Sequence, residues 1–282
     1  MLHQHLFVFD IETVPDTKAV APLTGSTSTD EAVLRQELED YHLKLTDGRN
    51  GFPRQPFHKV VAISFLIAKI ERDNMGQESY VLKSLGSNQI DDEKDMLQGF
   101  FDHLERIKPR LVSYNGRSFD LPVLKYRAMA KGVPAKWFYQ VGDKWNSYSS
   151  RYSADWHCDL LEVLSDFGAS ARVKLDEVCS VLGFPGKFGV DGSKVTELFE
   201  GGKVQEIKDY CETDVLNTYL VYLRTMQHQG KMSTHAYNTA LADVIHYIEQ
   251  HANNRPHLEE FLTAWKEACH GEYMLDETGL GE

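Results

Sequence analysis

Leu6-Phe7-Val8-Phe9-Asp10-Ile11-Glu12 is an apolar run that ends in two carboxylates one residue apart. Four consecutive large apolar residues predict a buried strand. Residues two apart on a strand face the same side, so Asp10 and Glu12 are expected to point together off the strand end, while Ile11 turns into the fold.

Outward from this run the chain alternates strand and helix patterns. Lys59 to Ile70 is β-branched and apolar and predicts a central strand. Glu78 to Leu85 alternates Tyr80, Leu82 and Ser84 against Val81, Lys83 and Leu85, with Met75-Gly76-Gln77 as the turn before it. Asp91 to Ile107 has helical spacing through Met96, Leu97, Phe100, Phe101, Leu104 and Ile107, with acidic residues in its first turn and Pro109 beyond its end. Arg110 to Tyr114 predicts a fourth strand, and Ser118 to Lys131 a second helix that tolerates Pro122 in its first turn. Lys203 to Met226 predicts a long helix with Ile207, Cys211, Val215, Tyr219 and Tyr222 on its apolar side. Three strands in a row followed by helix, strand and helix predict an α/β fold, a mixed sheet flanked by helices. The expected division is a domain over 1–228, with a polar insertion at about 16–58, and a helical extension over 229–282 packed on it. The insertion carries a helical segment near Asp30 to Leu45 and a loop at Asp47 to Pro56. The extension reads as two amphipathic helices split by Asn253-Asn254-Arg255-Pro256.

Bulk properties narrow the function. A net charge of −12 at pH 7 argues against a broad basic face that coats duplex nucleic acid, though not against a grip on a few nucleotides. Cys158, Cys179, Cys211 and Cys269 show no C-x-x-C spacing and read as reduced thiols, which fits a cytoplasmic location. No secretory signal is expected, and the longest apolar stretch, Val60 to Ala68, is too short to span a bilayer, so no membrane is expected.

Two further acidic motifs accompany the first pair: Asn115-Gly116-Arg117-Ser118-Phe119-Asp120 at a strand-to-helix junction, and Tyr210-Cys211-Glu212-Thr213-Asp214 on the long helix. Each alone has a plain structural explanation. A D-x-E can be a surface strand end, Asp120 a helix-start acid favoured by the dipole, and Tyr210 with Asp214 the border of a buried helix face. Together they are harder to dismiss, because four carboxylates converging on one place require a cation. Their order resembles the DEDD superfamily of 3′–5′ exonucleases, with a ribonuclease H-like fold in which three antiparallel strands are followed by parallel ones. The resemblance is strongest to stand-alone predicted exonucleases of the branch related to the proofreading domain of family B DNA polymerases. It runs from about Leu6 to Leu223 and takes in Pro56 to Ile63, Lys174-Leu175-Asp176-Glu177 and Leu182 to Lys187. Asp209 stands where the histidine variant of the superfamily has His, so Tyr210 marks the tyrosine variant.

The resemblance implies that Asp10, Glu12, Asp120 and Asp214 hold two divalent cations, Mg²⁺ or Mn²⁺, about 3.5–4 Å apart, for phosphodiester hydrolysis. All-oxygen ligands favour these ions over zinc. Asp10 is expected to bridge both ions, Glu12 and Asp214 to complete the site of the attacking water, and Asp120 to support the second ion. Tyr210 is expected to orient that water and not to act as a base, since a tyrosine pKa lies near ~10. Asn115, Phe119, Thr13 and Lys187 are the candidate substrate contacts, with Phe119 either a stacking surface or ordinary core. Lys187 and Lys194 lie on a glycine-containing loop from Gly183 that could meet a nucleic-acid backbone, although a solvated loop is the favoured reading of these lysines. His157-Cys158-Asp159 reads as structural. The expected substrate is the 3′ end of single-stranded nucleic acid, with the preference for DNA taken from the resemblance. The alternatives are an exoribonuclease with the same site or a catalytically weak nucleic-acid-binding module. No polymerase pattern is visible, so a proofreading or repair role implies a partner in trans.

Overall fold

Placement of the carboxylates follows from one central strand. The computed structural model describes residues 3–187 and 192–277. Five strands, β1 (His5–Pro15), β2 (His58–Arg72), β3 (Glu78–Ser87), β4 (Arg110–Ser113) and β5 (His157–Asp159), form one sheet in the order β3-β2-β1-β4-β5. The β1–β2 and β2–β3 pairs are antiparallel, and the β1–β4 and β4–β5 pairs parallel. The mixed sheet expected from the sequence is therefore present. A tight turn joins β2 to β3, where the Asp73 carboxylate accepts from the Met75 and Gln77 amides and Gly76 takes φ +81°.

Eleven helices surround the sheet among the described residues: α1 (Val20–Thr24), α2 (Glu31–Leu45), α3 (Glu93–Ile107), α4 (Asp120–Lys131), α5 (Lys136–Gln140), α6 (Leu160–Leu164), α7 (Leu175–Leu182), α8 (Val195–Glu200), α9 (Val204–His228), α10 (Thr234–His251) and α11 (Pro256–Ala268). None is long and apolar enough to cross a membrane.

β1 is covered on both faces, which is why its apolar run is unbroken. Phe7, Phe9 and Ile11 pack with Met96, Leu97, Phe100 and Leu104 of α3 and with Leu121 and Leu124 of α4. Leu6 and Val8, on the other parity, pack with Val215, Leu216 and Tyr219 of α9. α9 packs against the sheet and against both of the last two helices, and every residue from Tyr210 to Leu223 is buried. Leu241, Val244 and Ile248 of α10 and Leu258, Phe261 and Trp265 of α11 belong to the same core.

The structure departs from the sequence expectation at two places. β1 does not end at the acidic pair but continues to Pro15, because the long β2 keeps offering partners as far as His58. A bulge between Glu12 and Thr13 interrupts the register just after the second carboxylate. Asp10 and Glu12 therefore lie within the sheet and not off its end. The second departure is β5, three buried residues too short to carry any periodicity in the sequence. Between β1 and β2, α2 is capped by Asp30 and closes a small core of Val20, Leu34 and Leu38.

Candidate active site

Strand parity aims the first pair. Asp10 and Glu12 share the parity of Leu6 and Val8, hence the face that α9 covers. α9 supplies Tyr210 and Asp214, four residues apart on one face. The third element is the turn from β4 into α4. Its backbone is pinned by the buried Asp159, whose carboxylate accepts from the amides of Asn115 at 2.9 Å and Arg117 at 2.8 Å. Asn115 takes φ +68°, a left-handed conformation that asparagine tolerates. Gly116 approaches β4 so closely that a Cβ would sit 2.4 Å from the Ser113 hydroxyl and 3.5 Å from Asp120 Oδ2. Glycine at this position lets α4 begin with Asp120 directed at β1, where Oδ1 accepts from the Ile11 amide at 3.2 Å.

The acids lie close enough for their charges to bear on Asp10 and Glu12. Burial drives Asp10 well above the usual carboxylate range, reinforced by the charges of Asp120, Glu12 and Asp214. Burial raises Glu12 in the same way, with Asp214 and Asp120 adding to it and Lys187 opposing. Asp120 is pushed up to about 7, chiefly by burial, even though the Ile11 amide and a hydrogen bond to Asp10 favour its ionised form. Asp214 rises to about 6, again by burial, with Lys187 and the Tyr210 hydroxyl opposing. Among the described residues, Asp214 Oδ1 is buried with no hydrogen-bond partner. An orphaned carboxylate oxygen beside three other acids fits a bound cation.

Tyr210 donates to Asp214, and burial beside Asp214, Glu12 and Asp10 pushes its hydroxyl far above its ordinary value, so it stays a neutral phenol. Cys211, expected on the apolar side of the helix, instead places its thiol 3.6 Å from Asp10 Oδ2. Burial and the charges of Asp10 and Glu12 keep that thiol protonated. It is thus a donor to Asp10 and not a thiolate ligand, which leaves an all-oxygen set suited to Mg²⁺ or Mn²⁺. Its position three residues before Asp214 was the one sequence signal for this contact.

The candidate substrate contacts separate into two groups. Asn115 and Lys187 line a cavity of about 350 Å³ together with Asp10, Asp214, Arg172 and Lys174. Lys187 also lies 5.7 Å from the centre of the Tyr210 ring. Thr13 and Phe119 instead turn to His58. The His58 Nε2 donates to the Pro53 carbonyl at 2.8 Å, so Nδ1 accepts from the Thr13 hydroxyl at 2.9 Å. The Phe119 ring meets the His58 ring edge-on at 5.0 Å and packs partly into the α3/α4 core. Of the loop from Gly183 to Lys194, residues 188–191 lie outside the described residues.

Comparison with known proteins adds a family. Residues 50–265 match a family described as predicted 3′–5′ exonucleases related to the exonuclease domain of PolB. That match includes Asp120, Tyr210 and Asp214, starts after Asp10 and Glu12, and reaches into α11, past the Leu223 limit expected from the sequence. The catalytic polypeptide of DNA polymerase epsilon from Eremothecium gossypii is 27% identical over 139 residues, which are 48% of this chain and 6% of the relative. Its counterpart from Emericella nidulans is 23% identical over 235 residues, 75% of this chain and 10% of the relative. The chain thus spans a tenth or less of the length of these two relatives. A family B DNA polymerase from Pyrobaculum calidifontis superposes with a TM-score of 0.46 at 18% identity, covering 86% of this chain and 29% of that one.

Proposed function

We infer the function from family and geometry together: the chain belongs to the predicted 3′–5′ exonucleases related to the exonuclease domain of PolB, and its acidic cleft is assigned to metal-dependent hydrolysis of phosphodiester bonds from 3′ ends. The observation that carries this reading is the convergence of four acids, in which the charges of Asp120 and Asp214 bear on both Asp10 and Glu12 and Asp214 Oδ1 is left without a hydrogen-bond partner among the described residues. Among the described residues, Lys187 is the cation whose charge opposes that elevation at Glu12 and Asp214. A degenerate binding module has no physical reason to keep such a repulsive cluster.

Two divalent cations, Mg²⁺ or Mn²⁺, held by Asp10, Glu12, Asp120 and Asp214, would supply an activated water and stabilise the leaving 3′ oxygen. The chain's own residues do the rest. Tyr210, a neutral phenol, acts as hydrogen-bond donor and orients the water without removing its proton. Cys211 steadies Asp10 by donating to it. Asn115 and Lys187, on the cavity wall, contact the terminal nucleotide. Thr13 and Phe119 act through the His58 contact, which sets the bulge and the start of α4 beside it. The substrate in this reading is single-stranded DNA, which rests on relatives that are named DNA polymerases. A polymerase partner in trans and a cytoplasmic setting, the latter in keeping with the four free cysteines, belong to the same proposal.

The test uses 5′-labelled DNA and RNA single strands of one sequence, with Mg²⁺, Mn²⁺ or a chelator. The expected product is a ladder shortened one nucleotide at a time from the 3′ end, in metal only and faster on DNA. Cleavage undiminished by chelator, or loss of the 5′ label first, overturns the reading. A faster reaction on RNA would replace the substrate and keep the chemistry.

A further inference from the structure

Glu162 of α6 is buried, at 4% exposure, and its carboxylate gathers three arginines from three segments. Arg151 Nη2 donates to Oε1 at 2.8 Å, Arg172 Nη2 to Oε1 at 3.5 Å, and Arg117 Nε lies 3.7 Å from Oε2. Asp159 adds a second negative charge beside Arg117, so two negative charges against three positive leave a local surplus of one, in a protein whose net charge is −12. The Arg151 and Arg172 side chains are each 47% exposed, so each guanidinium keeps donors free for a second acceptor.

The surplus adjoins the acidic cleft. Arg172 and Lys174 line the cavity that holds Asp10 and Asp214. Of the two acids at the start of α7, Asp176 lies on the same wall and accepts from the Lys187 amide at 2.5 Å, and Glu177 beside it accepts from the Lys174 amide at 2.8 Å. Next to Arg151, Tyr152 is 71% exposed and sets its ring 4.9 Å from Phe167. Phe167 takes φ +55°, a left-handed conformation that is costly for a bulky residue, and its carbonyl accepts from Arg151 at 3.4 Å. Backbone strain of this kind collects at functional sites.

We propose that Arg151, Arg172 and Lys174, with the Tyr152 ring beside them, form a track for the phosphodiester backbone of a single strand whose 3′ end lies in the acidic cleft; this rests on the exonuclease reading. Guanidinium forks match phosphate oxygens in pairs, and arginines already fixed by Glu162 lose less freedom on binding. A short row of cations with one exposed ring suits an unpaired strand, whose bases can stack, better than a duplex, which needs a broad basic face.

The test measures the dissociation constant of a fluorescent deoxythymidine 20-mer in chelator, where binding is read without cleavage. Arg151→Ala with Arg172→Ala should weaken binding about tenfold and lower the slope of log K against log salt by about 1.4, the value for two lost phosphate contacts on a single strand. Tyr152→Ala with Lys174→Ala leaves the Glu162 cluster intact and should weaken binding several-fold, which guards against misfolding of the first pair. Lys69→Ala, at the far end of β2, should change neither quantity. An unchanged constant and slope in both double variants, or no binding by the wild type, overturns the track. The two readings fail separately: binding through these residues without any metal-dependent cleavage sinks the exonuclease, and cleavage with unaltered binding in the variants sinks the track.

Discussion

Two groups of buried carboxylates meet opposite fates in this molecule. Glu78 accepts from Arg110 at 2.6 and 2.9 Å, from Arg72 at 2.7 Å and from Tyr80 at 2.5 Å. Burial would raise its pKa, but the Arg110 contact, with help from Tyr80 and Arg72, brings it down to about 2. Glu93 is lowered likewise against burial by Arg127, the Val60 amide and Lys131. Asp120 and Asp214 are as buried as these two, and Asp10 and Glu12 are half-buried, yet all four rise. The difference is the counter-charge. The chain builds arginines against Glu78 and Glu93 and leaves the other four facing one another. A fold able to pair its buried acids, and not doing so at one place, has there the arrangement that the proposed cation site requires.

The contrast can be broken from either side. The largest effect is expected at the unpaired group: Asp10→Ala or Asp214→Ala should take cleavage of a labelled single strand down to background, and wild-type rates in either would end the proposal. At the paired group, Glu78→Ala should leave Arg110 buried without its partner and cost about 3–5 kcal/mol in denaturant unfolding. A loss below about 1 kcal/mol there would remove the basis of the comparison. Tyr210→Phe removes a donor but no charge, so the rate should fall roughly 10²-fold with the fold intact. An undiminished rate would strip Tyr210 of its orienting role.

The smallest effect is the dependence of stability on pH. As pH rises from ~4, the unfolded chain ionises first, while the folded site holds protons up to about 6 at Asp214 and about 7 at Asp120. At this site the folded state therefore binds more protons across the window, and the site's contribution to metal-free stability falls as pH rises through it, against the buried His157, which burial holds well below its ordinary value and which acts in the opposite sense. Glu78 acts in the opposite sense but lower down: its contribution is present above its ordinary value of 4.5 and is lost only as pH falls towards about 2. Melting temperature in chelator should thus drop between about pH 5 and about pH 8, by about 2–4 °C for each kcal/mol lost, and saturating Mg²⁺ should flatten the drop. A melting temperature that climbs with pH in chelator would contradict the electrostatics of the site.

Much of this architecture is legible in the chain. The antiparallel strands, α3, α9 and the last two helices announce themselves by period and by punctuation, and the order of the acidic motifs, on a strand, a strand-to-helix junction and a late helix, is readable from the same signals. What escapes the sequence depends on contacts between distant segments. The extent of β1 is set by β2, which starts more than forty residues after β1 ends. β5 is three residues long and exists because β4 offers an edge. Thr13 and Phe119 turn to His58 because the bulge and the β1–β2 connection place that ring between them. Arg117, Arg151 and Arg172 have no spacing in common, and only Glu162 brings them to one point.

The claim that the unpaired acids form a cation site is met most directly by calorimetric titration of Mn²⁺ into the metal-free protein at about pH 6, in two buffers of different ionisation enthalpy. The account predicts two bound ions, release of protons held by Asp120 and Asp214, and loss of most of the binding in Asp10→Asn. No binding by the wild type, or an isotherm unchanged in Asp10→Asn, would contradict it.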